Sequence, residues 1–356
     1  MLDELIEARE FAESVKYSGD TLIADHAFQV KNDEIDNFFS LNSMLVTENV
    51  TPIISNSIKK VIARLKIPQS SVKAYVYASP EIQAECYSGN DIDCVIRLSS
   101  GLIDILENEE IEFVIGHELG HFLYDHGLAI ISNQNESLEF LIQKRAQEVS
   151  ADRIGLLASE SLDVSIRAMM KTMSGLSSKY LNFDFASFLS QLSNSTNYKS
   201  QINISSSHPS MLIRCRALLW FSMSETFKSG KKNYHSKEIH SLNSKIKADI
   251  DKFVDSIARD KIRDLKRDVA IWASALIIVK DGSFDITEQE IFMSMFGQKT
   301  LDNLKTFLSG YSTKKSVQES VLNKLESAKK ELYFAIPSSF ERELESLESK
   351  IRLSYN

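Results

Sequence analysis

Residues 111–127 read IEFVIGHELGHFLYDHG, and within them His117, Glu118 and His121 stand as His-Glu-x-x-His. Residues four apart on a helix share one face, one turn above the other. His117 and His121 can therefore offer two imidazoles to a single cation. Glu118 is turned by about 100° around the axis, beside that cation rather than on it, where a carboxylate can exchange a proton with bound water. The surroundings are helical: Asn108 suits an N-cap, Glu109 and Glu110 suit the positive end of the helix dipole, and Ile115, Leu119 and Phe122 share the opposite face. Gly120 costs a helix interior about 1 kcal/mol relative to Ala, so it predicts a neighbour packed close against the backbone. Unpaired buried carboxylates are costly. A Glu between paired histidines on an otherwise apolar helix therefore reads as a zinc site, with one Zn2+ per chain.

A catalytic zinc needs a third protein ligand and an open position. A predicted helix over 136–157, capped by Asn135, carries Glu148 and Asp152, four apart in the run QEVSAD. Glu148 is the expected third ligand. Asp152 is placed to accept the remaining N–H of a ligand histidine. If the metal helix continues through Leu128 to Ile131, antiparallel packing across a short loop brings His121 and Glu148 to similar heights. Other third ligands fit less well. His126 lies about 180° around a continuous helix from His117, and a metzincin-type third histidine would occupy position 127, which is Gly127. Asp125 is adjacent to the site.

Outside these helices, 49–65 has helical spacing, 72–78 and 93–98 read as strands, and Ser99 or Ser100 can cap a short helix that leads into the metal helix. Val95, Ile96, Arg97 and Leu98 are the expected edge strand, on which an extended peptide could pair. Ser207 and Pro209 suit the start of another helix, which places His208 at its N-terminus as a donor to an oxyanion. Arg214, further along that helix, could pair with Asp152 or Glu148. Tyr124, one turn past His121, is either a further donor or a core aromatic.

The blocks HELGH, EVSAD and His208-Pro209 with Arg214 downstream, in this order, resemble the HtpX-like and CAAX-prenyl-endopeptidase family of zinc metallopeptidases. The resemblance covers roughly 72–220. It implies a gluzincin, an HEXXH hydrolase with His117, His121 and Glu148 on zinc, Glu118 as catalytic acid/base, Asp152 as a supporting carboxylate and His208 near the reaction centre. Two departures stand out. Many members are membrane-embedded, and no such helices are visible here. Where members often carry Asn-Ala before the edge strand, this chain has Gln83-Ala84-Glu85. The stretch ALIIVKDGSFDITEQEIFMSMFG at 275–297 resembles a TerB-like helical domain, with Thr287 to Glu290 as a capping box.

Bulk properties set the frame. The 356 residues, 43% hydrophobic and 25% charged, suggest about two globular domains. A net charge of -8 without a basic run argues against a nucleic-acid partner. Three widely spread cysteines fit a reducing compartment better than a disulfide framework, and the longest apolar run, 269–279, is too short to span a bilayer. The expected fold is mostly α with a small β-sheet: an α+β zincin peptidase domain over 1–233, then an all-α domain over 234–356. The expected function is that of a soluble, cytoplasmic zinc metalloendopeptidase. Metal-activated water would attack a protein or peptide substrate, with Glu118 as general acid/base. A rival is a zinc-bearing scaffold or sensor of low activity, regulated through the helical second half, and a regulatory partner of that second half is a further expectation.

Overall fold

The computed structural model describes residues 2–17, 39–88, 94–126, 137–194, 210–229, 236–250, 256–281 and 284–355. It is mostly helical with one small four-stranded mixed sheet, the class the sequence predicts. Strands β1 (Met44–Leu45), β2 (Val72–Tyr77), β3 (Ala84–Ser88) and β4 (Cys94–Ser99) lie in the order β1-β2-β4-β3. β4 runs parallel to β2 and antiparallel to β3.

That order corrects the expected substrate edge. Val95, Ile96, Arg97 and Leu98 pair with Lys73 to Val76 on one side and with Ala84 to Tyr87 on the other. An interior strand has no free N–H and C=O row to offer. Its near-continuous burial, with only Arg97 part-exposed, is the mark of a strand covered on both faces. The edges are β1 and β3, and the AECYS sequence of β3 does not keep the alternation that would mark it as a strand.

The contacts divide the described residues into two compact units. The first contains the sheet and ten helices: α1 (Leu2–Val15), α2 (Pro52–Leu65), α3 (Ser100–Ile105), α4 (Asn108–Leu123), α5 (Leu138–Ser159, from residue 142 on), α6 (Leu162–Ser174), α7 (Phe185–Asn194), α8 (Met211–Ser222), α9 (Glu225–Lys228) and α10 (Ser236–Ile250). This unit extends beyond the expected boundary at 233 because α10 places Ile239, Leu242, Ile246 and Ile250 in the same core as Leu119, Phe122 and Ile154.

Local chemistry explains the helix ends. Pro52 opens α2 in the first turn, where its missing N–H costs nothing, and Lys66 in the left-handed region closes it. Ser99 Oγ accepts from Leu102 N at 3.2 Å and starts α3. The N-cap of α4 is Glu107, not Asn108, and the Glu110 carboxylate accepts from Glu107 N at 2.8 Å. Ser137 Oγ accepts from Phe140 N at 3.2 Å at the start of α5, whereas the expected cap Asn135 lies outside the described residues. Glu112 of α4 is held by Lys60 and Arg64 of α2, which fixes α4 against its neighbour.

The second unit contains residues 137–141 and five helices: α11 (Ser256–Asp281), α12 (Ile286–Phe296), α13 (Gln298–Ser309), α14 (Lys314–Ala335) and α15 (Phe340–Tyr355). Its core gathers Ala275, Ile278, Phe292, Leu304, Val321 and Ile351. The capping box of α12 is set two residues before the expected Thr287: Asp285 Oδ1 accepts from Glu288 N at 2.8 Å and Glu288 Oε2 accepts from Asp285 N at 3.1 Å. Among the described residues no helix is long and apolar enough to cross a membrane.

Candidate metal centre

Small residues let α4 and α5 approach closely. A Cβ on Gly116 would meet Ala158 Cβ at 2.3 Å, and one on Gly120 would meet Ala151 Cα at 2.9 Å. This is the close neighbour that Gly120 predicted. With the two backbones this near, the long side chain of Glu148 reaches the histidine face of α4 without extending through the core.

The donor atoms converge. His117 Nε2 and His121 Nε2 lie 3.1 Å apart. Glu148 Oε2 is 3.6 Å from the first and Oε1 is 3.5 Å from the second. Nitrogen donors about 2.0–2.1 Å from a tetrahedral zinc stand about 3.3 Å from one another, so the trio fits that ion as it stands. Among the described residues no fourth His, Cys, Asp or Glu joins the group. His121 is the most open of the three at 20% side-chain exposure, against 11% for His117 and 7% for Glu148. Solvent therefore reaches the site on that side.

A second layer holds these three side chains. Asp152 Oδ1 lies 3.0 Å from His117 Nδ1. Arg214 donates from Nε and Nη2 to the two oxygens of Asp152, at 2.7 and 2.6 Å, and its Nη1 lies 3.0 Å from Glu148 Oε2. One guanidinium thus braces both carboxylates, in a planar fork geometry that Lys could not supply. The sequence left open whether Arg214 pairs with Asp152 or Glu148, and it pairs with both. The network leans Glu148 Oε2 toward Arg214 and leaves Oε1 facing His121.

Burial and charge act on these groups in opposite directions. Burial disfavours the charged form of His117, but Asp152 and then Glu148 outweigh it and raise its pKa. Burial lowers His121 to about 3, with Glu148 opposing and His117 adding to the effect. Burial also raises Asp152, but the Arg214 pair wins and holds it below its ordinary value. Glu118 is raised to about 7, mainly by burial, with His117 lowering it and Glu148 raising it. Glu118 is thus a carboxyl group poised to gain or lose a proton near neutrality, as a general acid/base requires.

Three further residues stand differently: one is not described, one takes the core place the sequence allowed, and one departs from expectation. His208, with Ser207 and Pro209, lies outside the described residues, and α8 begins after Ser210. Tyr124 is a core aromatic whose hydroxyl donates to Ala12 O at 2.8 Å, which directs it away from the site. His126 does not face away. The helix ends at Leu123 instead of running on toward Ile131, and His126 Nδ1 comes to 3.1 Å from His121 Nδ1. Burial lowers its pKa well below the ordinary histidine value, with His121 adding to the effect. Helical periodicity could not reveal this contact. Its local cause is Asp125, whose φ of 51° turns the chain back.

The model of peptidase family M48 matches residues 49–143. That span includes α2, the sheet from β2 to β4, and the whole of α4 with His117, Glu118 and His121. Glu148, Asp152 and Arg214 lie beyond its end, and geometry alone joins them to it. This part of the chain is therefore similar to zinc-dependent metallopeptidase hydrolases. The match is to M48 as a whole. The narrower HtpX-like and CAAX-prenyl likeness, and the TerB-like likeness of the second half, rest on sequence motifs. No curated protein and no solved structure matches the chain.

Proposed function

We propose that the chain is a soluble zinc metalloendopeptidase. The observation that carries this reading is the convergence of His117, His121 and Glu148 on one point, with Glu118 buried beside them and its pKa raised to about 7. His117, His121 and Glu148 would hold the ion. Zinc in such a site polarises a carbonyl and lowers the pKa of a water toward about 7.

The chain's own groups supply the rest. Glu118 takes a proton at neutral pH and returns it to a leaving amine. Asp152 orients His117, and Arg214 keeps Asp152 ionised and braces Glu148 in place. An extended substrate would pair along β3, which lies against α4 and has β4 on one side only. The oxyanion role of His208 rests on its expected place at a helix N-terminus, and its nearness to the reaction centre on the family resemblance. Cytoplasmic placement rests on the three free cysteines.

The test is metal analysis of the full chain together with cleavage of an unfolded protein such as casein. The parent should contain one zinc and cleave, and chelation should stop cleavage. Glu118→Gln should retain zinc and lose about 10²–10⁴-fold in rate. Retained zinc with undiminished cleavage in that variant would remove Glu118 from the reaction. A parent that binds no zinc would end the reading altogether.

A further inference from the structure

We propose that His126 is a positioning residue for the metal site: it accepts the Nδ1 proton of His121 and thereby fixes that ligand's tautomer and ring plane. The inference rests on reading His117, His121 and Glu148 as metal ligands, and it adds a residue that the motif does not include.

The backbone carries His126 to this place. After α4 ends, Asp125 takes the left-handed conformation at φ 51°, one that Asp tolerates better than most residues. Arg9 Nη1 holds its carboxylate at 3.0 Å. His126 N then donates to His121 O at 2.8 Å, so the turn closes on the same residue whose ring it will meet. The two imidazole centroids stand 5.2 Å apart. A face of the His126 ring stacks on Tyr124 at 5.1 Å and 26°, and the Tyr124 hydroxyl is anchored to Ala12 O. The plane of His126 is therefore fixed by α1 as well as by its own turn.

Proton placement follows from counting. A neutral imidazole carries one N–H and one lone pair. His121 Nε2 faces His117 Nε2 and Glu148 Oε1, so its lone pair belongs to the cation and its proton to Nδ1. The atom 3.1 Å from that proton-bearing nitrogen is His126 Nδ1, which must accept. His126 then keeps its own proton on Nε2. That nitrogen is buried and has no hydrogen-bond partner among the described residues. A buried donor left unmatched is costly, and the arrangement makes sense if the opposite nitrogen has a task.

The two ligand histidines are thereby held by unlike partners. Asp152 faces His117, while a neutral ring faces His121. The neutral partner orients His121 without adding another carboxylate to a site where Arg214 already braces Glu148 and Asp152.

The test uses the full chain, labelled with 15N histidine, in zinc-loaded and chelator-treated forms. Long-range proton–nitrogen spectra report which ring nitrogen is protonated. In the zinc-loaded parent, His121 should carry its proton on Nδ1 and His126 on Nε2. Zinc affinity is then measured by chelator competition. His126→Leu should weaken it about 10–100-fold, and His126→Asn, which keeps an acceptor oxygen, should stay within about threefold of the parent. The visible spectrum of the cobalt-substituted Leu variant should shift, and that of the Asn variant should not. A proton on Nδ1 of His126 overturns the proposal even if every variant misfolds, because that measurement needs only the parent. A folded Leu variant with parental zinc affinity also overturns it. A parent that binds no zinc instead sinks the metal reading beneath it.

Discussion

A methyl group on Gly116 would stand 2.3 Å from the Cβ of Ala158. Both atoms are fixed by backbone, so no side-chain rotation relieves the overlap, and α4 must move away from α5. Gly116→Ala gains about 1 kcal/mol of helix propensity but incurs an overpacking cost of about 1–3 kcal/mol. We expect a net loss of stability in urea unfolding, together with weaker zinc binding as Glu148 recedes from the histidines. Gly116→Ala combined with Ala158→Gly should recover part of both losses. The recovery is only partial because Gly155 Cα at 3.0 Å and Ile154 O at 3.3 Å remain. Parental stability and zinc affinity in the single variant would contradict the crossing described here.

Lys171 is fully buried, and its Nζ lies 2.6 Å from Glu110 Oε2 in the first turn of α4. Removing one partner of a buried pair costs up to about 3–5 kcal/mol, and Glu110 would keep only Arg167 Nε at 4.0 Å and the Glu107 N–H. Lys171→Met should therefore destabilise strongly. Glu110→Gln with Lys171→Met should be markedly more stable than Lys171→Met alone. Urea unfolding of the three proteins decides this. If the double variant is no better than the single, the loss comes from packing and not from the stranded carboxylate.

The sequence made part of this site legible, and physics explains which part. His117, Glu118, His121, Glu148 and Asp152 sit within two helices, where a period of 3.6 residues fixes which side chains share a face. The interior place of β4 was not legible in the same way. It depends on β3, and AECYS lacks the alternation that would announce a strand. The contact of His126 was hidden by one backbone angle, at Asp125, that helical extrapolation cannot anticipate. The extent of the first unit was hidden because the apolar face of α10 looks like any amphipathic helix until its partners are seen.

The hydroxyl of Tyr124 donates to Ala12 O within the core, 2.8 Å away. Tyr124→Phe leaves that carbonyl unmatched and should cost about 1–2 kcal/mol of stability. Peptide cleavage should stay within about twofold of the parent, because the Phe ring keeps the stack on His126 and less than about 0.5 kcal/mol of barrier is at stake for a hydroxyl that makes no contact with substrate. Steady-state kinetics and urea unfolding on the same preparation separate the two roles. A hundredfold fall in kcat at unchanged stability would make Tyr124 a donor to the reaction after all.

Glu118 and His121 titrate in opposite senses in the metal-free protein, and their pH effects on stability should largely cancel. Glu118 is raised from 4.5 to about 7 in the folded state. Between those values the folded chain binds a proton that the unfolded chain does not, so the contribution is complete below about 4.5 and is lost as pH rises through about 7. His121 is lowered from 6.5 to about 3. Between those values the unfolded chain binds the extra proton, so stability present above about 6.5 is lost as pH falls. From about 4.5 to 6.5 the two slopes oppose one another, each about 1.4 kcal/mol per pH unit. Glu118→Gln removes one of them and leaves the other groups in place. In chelator-treated protein, the variant should therefore gain on the parent by about 1.4 kcal/mol for each pH unit climbed between about 4.5 and 7. Urea unfolding of both proteins at intervals across that range measures the difference directly. A difference that stays constant with pH would show that Glu118 titrates at the ordinary carboxyl value and is not poised near neutrality.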